Sequence, residues 1–235
     1  MTNDGKWIRL FPVPYRFLDE DKRFSKYQWI DVDVIKASSD PRPESYKLNA
    51  DSISIIDSVP SSDGWAQRKA IIRPLIKTSL CEIRKSREDA GFPTLGIFKP
   101  YKINKLIIET ADSEWSAQQL MTLQQTELFH QNPTQPLEKI PFNFKYEFSC
   151  SCEGCNGHTL TCTDWEMGQS FRRWRKQYGD NWEAAFRLKY EQEMKSKFDT
   201  HFYVGTIHQY PNAWIIIGLY YPPVQVMSDL FDSLV

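Results

Sequence analysis

The chain has 235 residues, enough for one large domain or two small ones. Its 41% hydrophobic content, with 8 Trp, 11 Tyr and 14 Phe, supplies a core and excludes disorder. A net charge of −1 excludes a globally basic nucleic-acid-binding character, and no apolar run approaches the roughly 20 residues of a membrane span.

The opening MTNDGKWIRLF lacks a basic stretch followed by an apolar one, so no signal peptide is expected and the cytoplasm is the expected compartment. Lys6 to Phe11 and Tyr27 to Ile35 alternate as strands do, separated by a charged turn at Asp19 to Arg23. Asp40-Pro41-Arg42-Pro43 reads as a turn and Ser52 to Ile56 as a further short strand. Ser61, Ser62 and Asp63 offer caps for a helix beginning near Gly64. Pro74 interrupts it, and a second helix is predicted from about Pro74 to Asp89, closed by Gly91 and Pro93.

Charge is segregated here: Gly64 to Glu88 carries seven basic residues against two acidic ones. Lys69, Arg73, Lys77 and Arg84 recur at spacings of four, four and seven, which on a continuous helix makes one stripe suited to phosphate. Cys81, near Leu80 and Ile83, reads as a buried small hydrophobe.

Thr94 to Phe98 and Lys102 to Glu109 are predicted as a strand pair broken at Lys99-Pro100. A helix follows from Ser113 to Phe129, with Trp115, Leu120, Leu123 and Leu128 inward. Residues 132–141 contain Pro133, Pro136 and Pro141 and form the expected seam between an N-terminal β-rich and helical half and a C-terminal half. Beyond it, Phe142, Phe144, Tyr146 and Phe148 share one face of a period-two strand, and Thr159 to Cys162 is a second strand. Helices are predicted up to Tyr178 and from Asp180 to about Lys197, separated by Gly179. Strands at His201 to His208 and Ala213 to Tyr221 follow, then a helical turn at Met227 to Leu234. The expected architecture is α+β: a mostly antiparallel sheet with grouped helices, forming a single integrated domain over 1–235 with a zinc-stapled C-terminal half.

The staple is expected from Cys152, Cys155, His158 and Cys162, which read C-x2-C-x2-H-x3-C, with Cys150 as substitute ligand. Thiolates with an imidazole suit a closed, tetrahedral structural Zn2+, and Gly154 and Gly157 supply the tight turns that such a knuckle needs. A reducing compartment favours this over disulfides. The metal is expected to hold the Phe142–Phe148 strand against the helix ending at Tyr178. This short stretch resembles the CCHC zinc knuckle of nucleic-acid-binding proteins, with a shorter cysteine-to-histidine gap.

A second basic run, Arg172, Arg173 and Arg175, interleaves with Trp174 and offers phosphate contacts beside a stackable ring. Asp164 and Glu166, with His208, form an alternative: a metal-dependent nuclease. Helix capping accounts for both carboxylates, with Thr163 as cap and Glu166 reaching back, so no catalytic residue is favoured. The segments Ile8 to Pro14, Leu95 to Pro100, Gly157-His158 with Asp164-Trp165-Glu166, and Trp214 to Leu219 resemble those of uncharacterised prokaryotic proteins associated with mobile elements and anti-phage gene clusters. That resemblance implies one integrated unit and defence-related work on DNA or RNA, alone or with protein partners. A protein-only interaction subunit is the competing expectation.

Overall fold

The computed structural model describes residues 1–121 and 138–224. Strands β1 (Arg9–Leu10), β2 (Gln28–Asp31), β3 (Val34–Lys36), β4 (Ser45–Leu48) and β5 (Ser54–Ser58) form two small sheets, β1-β4-β3 and β2-β5. Helix α1 (Ser62–Ile72) follows, its first turn distorted by left-handed φ at Asp63, Gly64 and Trp65, so regular helix begins only after Trp65. The Trp65 ring packs against Tyr27 and Tyr220, which holds this unfavourable backbone in place.

The rest comprises β6 (Ile76–Lys77), α2 (Leu80–Ala90), β7 (Leu95–Phe98), β8 (Lys102–Thr110), β9 (Phe142–Ser149), β10 (His158–Cys162) and α3 (Trp165–Tyr178). Then come α4 (Trp182–Arg187), a π-helical stretch Leu188–Glu193, α5 (Met194–Ser196), β11 (His201–Thr206) and β12 (Trp214–Tyr220). Seven strands make one sheet, ordered β6-β7-β11-β12-β10-β9-β8, with β6–β7 and β10–β12 parallel and the other pairs antiparallel. The α+β, mostly antiparallel architecture expected from the sequence is present.

Four details differ from expectation. Pro74 ends the helical region outright: Arg73–Leu75 is a 3-10 turn and Lys77 lies on a strand. Leu120 is exposed rather than inward. The predicted pairing of β7 with β8 does not occur, because β7 lies between β6 and β11 while β8 is an edge strand beside β9. Finally, residues 113–116 are not helical, and the helix predicted from Ser113 is described from 117 to 121. Leu123, Leu128, most of the 132–141 seam and the Met227–Leu234 turn lie outside the described residues.

The strand order has a geometric consequence. In a flat sheet, five inter-strand spacings would separate β7 from β8 by about 24 Å. Only Lys99, Pro100 and Tyr101 connect them, and that link reaches at most about 14 Å. The sheet must therefore curl, bringing β7 towards β8 and β9, and the Phe98 and Phe148 rings do meet across its inside at 5.6 Å.

Inside the curl lie Tyr146, Phe148, Phe202 and Val204, covered by Leu80 and Ile83 of α2 and by Met167, Phe171, Phe186 and Tyr190 from the later helices. The opposite face of β7, β11 and β12 contributes Ile97, Tyr203 and Tyr220 to a second cluster with Trp7, Tyr27, Trp65 and Ile72. Burial on both faces explains why all four positions of β7 are inaccessible. Polar ties reinforce the second cluster. Arg42 donates to the Thr206 carbonyl at 2.6 Å, Arg9 to Thr94 Oγ1 and O at 3.2 Å, and Lys26 to the Leu219 carbonyl at 2.7 Å. No helix among the described residues is long and apolar enough to cross a membrane.

Candidate metal centre

The β9–β10 connection carries three thiols. Strand β9 delivers Cys150 into the core, and the loop then turns twice through Gly154 and Gly157, both with left-handed φ of 74° and 86° that suit glycine. Cys155 N–H donates to the Cys152 carbonyl at 3.3 Å, and Cys155 Sγ accepts from Cys150 N–H at 3.3 Å. That backbone donor is the main reason the Cys155 thiol is held below its ordinary pKa.

The fourth thiol comes from far away in sequence. Ser79 caps α2 by accepting from Glu82 N–H at 3.0 Å, while Glu82 Oε2 accepts from Thr78 N–H at 2.8 Å. This reciprocal cap places Cys81 in the first helical turn, where the helix dipole favours a thiolate. Gly96 of β7 lets α2 approach the sheet closely, so its N-terminus reaches the β9–β10 loop across the curl. The Sγ atoms of Cys81, Cys150, Cys152 and Cys155 lie within 4.8 Å of one another. A tetrahedral ion with bonds of about 2.3 Å would place its sulfurs about 3.8 Å apart. The four thiols therefore fit a metal ion after a contraction of about 1 Å. All five cysteines are free thiols, and burial raises Cys81 and Cys150 above their ordinary pKa.

This is not the quartet expected from spacing. Cys152 and Cys155 belong, Cys150 joins as a full member, and Cys81, expected as a buried small hydrophobe, is the fourth ligand candidate. His158 flanks the quartet, its Nε2 3.2 Å from Cys81 Sγ and 3.4 Å from Cys155 Sγ. Cys162 is excluded. It sits buried at the far end of β10, with Sγ 3.4 Å from Met167 Sδ. Four residue steps along the strand separate it from His158, a rise of about 13 Å, so one ion cannot take both. A metal would accordingly tie β9 and β10 to α2, not to the helix ending at Tyr178.

The other candidate residues are scattered. Lys69 lies on α1, Arg73 in a 3-10 turn, Lys77 on β6 and Arg84 on α2, so they make no single helical stripe. Arg73, Lys77 and Arg84 are exposed, and none has a side-chain partner among the described residues. On α3, Arg172 donates to the Glu138 carbonyl at 2.8 Å and Arg175 pairs with Asp180, leaving Arg173, which lies over the Trp174 ring. Trp174 is half-buried and packs edge-on against Phe186 and Tyr190.

Asp164, not Thr163, caps α3: Oδ1 accepts from Met167 N–H at 3.1 Å. Oδ2 accepts from Leu219 N–H at 2.8 Å and lies 3.8 Å from Lys26 Nζ. Glu166 does not reach back; it accepts from Lys26 at 3.2 Å and from the Tyr221 hydroxyl at 3.1 Å. His208 stands apart from both carboxylates, with Nε2 3.1 Å from the Ser39 carbonyl. Lys26 in this cluster was not visible to sequence reasoning, since 138 residues separate it from Asp164 and nothing local marks it.

The chain belongs to the family described as domain of unknown function DUF8757, which matches residues 76–235, and residues 1–74 match domain of unknown function DUF8758. The two matches meet at the start of β6. No curated protein and no solved structure matches the chain.

Proposed function

We propose that the chain is a zinc-stapled nucleic-acid-binding or adaptor subunit, and that the resemblance of its segments to proteins of mobile elements and anti-phage gene clusters points to prokaryotic defence. Zinc is the proposed metal because an all-cysteine, closed set of soft ligands suits a structural tetrahedral ion and leaves no position for a reacting water. The observation that carries the binding reading is the exposed set Arg73, Lys77 and Arg84, unpaired among the described residues and positioned around β6 and the thiol-bearing helix. Unpaired cations of this kind neutralise phosphates and release counterions. The α3 run is a weaker candidate, because two of its three arginines already have partners.

The test is fluorescence anisotropy with labelled single-stranded and duplex DNA and RNA across a salt series. Binding should weaken with salt, and replacing Arg73, Lys77 and Arg84 together by Glu should remove it. If the wild-type chain binds no nucleic acid at micromolar concentration and low salt, the adaptor role remains and direct recognition is refuted.

A further inference from the structure

We propose that the groove between α1, the start of β8 and α5 seats one nucleoside phosphate, with its phosphate on Lys69 and Lys102 and its base on Tyr101; this deepens the nucleic-acid reading above and rests on it. The groove has a volume of about 780 Å³, within the range of about 300–1,000 Å³ typical of small-ligand sites. Four lysines line it: Lys69, Lys99, Lys102 and Lys195.

Two of the four are already neutralised. Lys99 pairs with Asp199, the one acidic residue in the wall among the described residues, at 2.5 Å. Lys195 pairs with Glu191 at 3.0 Å and donates to the Asn104 carbonyl at 2.7 Å. Lys69 and Lys102 have no side-chain partner among the described residues. Two ammonium groups without a side-chain partner among the described residues, on one concave wall, focus a positive field into it, and the matching ligand is a phosphate.

Tyr101 decides the ligand class. Its side chain is 75% exposed, the most exposed large hydrophobic residue in the described chain. Its backbone is nonetheless fixed, since Tyr101 N–H donates to the Ser149 carbonyl at 2.9 Å where β8 joins β9. A solvent-facing ring on an anchored backbone, beside cations unpaired among the described residues, suits a base stacked next to its own phosphate. A paired duplex hides its base faces, so the site fits an unpaired nucleotide, either free or within a single strand.

The experiment pairs two probes: single-stranded DNA and RNA of about ten nucleotides, a length within the site sizes usual for strand-binding folds, and adenosine 5′-monophosphate. The full-length chain is compared with Lys69→Gln/Lys102→Gln, Tyr101→Ala and a control, Lys47→Gln, whose exposed side chain lies on β4 in the small sheet. Losing the one neutralised phosphate should weaken strand binding tenfold or more and flatten the logarithmic salt slope by about 0.7. Tyr101→Ala should lose at least about fivefold with the salt slope unchanged. The control should bind as the wild type does. If the strand binds the wild type and all groove variants alike, the groove proposal is overturned while the nucleic-acid reading stands. If no strand binds but the monophosphate does, and the lysine pair is required, the groove is a free-nucleotide site and the strand reading fails. If neither probe binds, the groove proposal is overturned, and the nucleic-acid reading falls with it when duplex DNA and RNA also fail to bind.

Discussion

Asp164 is a carboxylate with both oxygens committed. One accepts from Met167 N–H to cap α3, and the other accepts from Leu219 N–H next to Lys26. A capping residue alone would tolerate asparagine, because the amide oxygen still accepts. Here the amide would turn its NH2 towards one of two backbone donors and leave that donor buried without a partner. Asp164→Asn should therefore cost about 1–3 kcal/mol in urea denaturation, and a silent substitution would show that the second contact carries no weight. The helix start itself was legible in Thr163-Asp164-Trp165-Glu166, to within one residue. The displacement has a physical reason: Thr163 is drawn to the neighbouring strand, its N–H and hydroxyl both directed at the Ile216 carbonyl. Local sequence cannot show that competition.

Among the elements, β9 was read most accurately, because its aromatic alternation is a purely local signal and Phe144, Tyr146 and Phe148 are all buried. Helix α2 was harder to read. Its cap residues Ser79 and Glu82 are present in the sequence, but Pro74 drew the predicted start six residues too early, although Pro74 occupies only the 3-10 turn before β6. The depth at which α2 packs depends on Gly96. A Cβ added there would lie 2.9 Å from Ile83 Cδ1, inside the buried contact that seats the helix on β7. Gly96→Val should therefore destabilise the chain by about 1–3 kcal/mol through overpacking, and Gly96→Ala by less, since one methyl meets only the flexible end of Ile83. Equal, near-zero effects in chemical denaturation would mean that α2 has room to move. The pairing of β7 with β8 was misread for a related reason: two strands three residues apart suggest a hairpin, and only the later strands β11, β12, β10 and β9 displace them.

For the whole molecule, the α+β class was legible because it needs only the kinds of elements and their grouping. The curl of the sheet was not, since it arises from strand order, and with it went the identity of the fourth thiol. Spacing found Cys152 and Cys155 and held Cys150 in reserve, but a neighbouring histidine and Cys162 completed the pattern on paper. In space β10 carries Cys162 away, while α2 brings Cys81 to the loop from the other side of the curl. A metal at this point would close the curled sheet, joining its β6–β7 side through α2 to its β9–β10 side. Metal content therefore tests the account most directly: elemental analysis of chelator-free protein, comparing wild type, Cys81→Ser and Cys162→Ser. The wild type should hold about one zinc per chain, Cys81→Ser should lose most of it, and Cys162→Ser should retain it even though that buried substitution lowers stability. Zinc kept by Cys81→Ser and lost by Cys162→Ser, or absent from the wild type, would contradict this assignment.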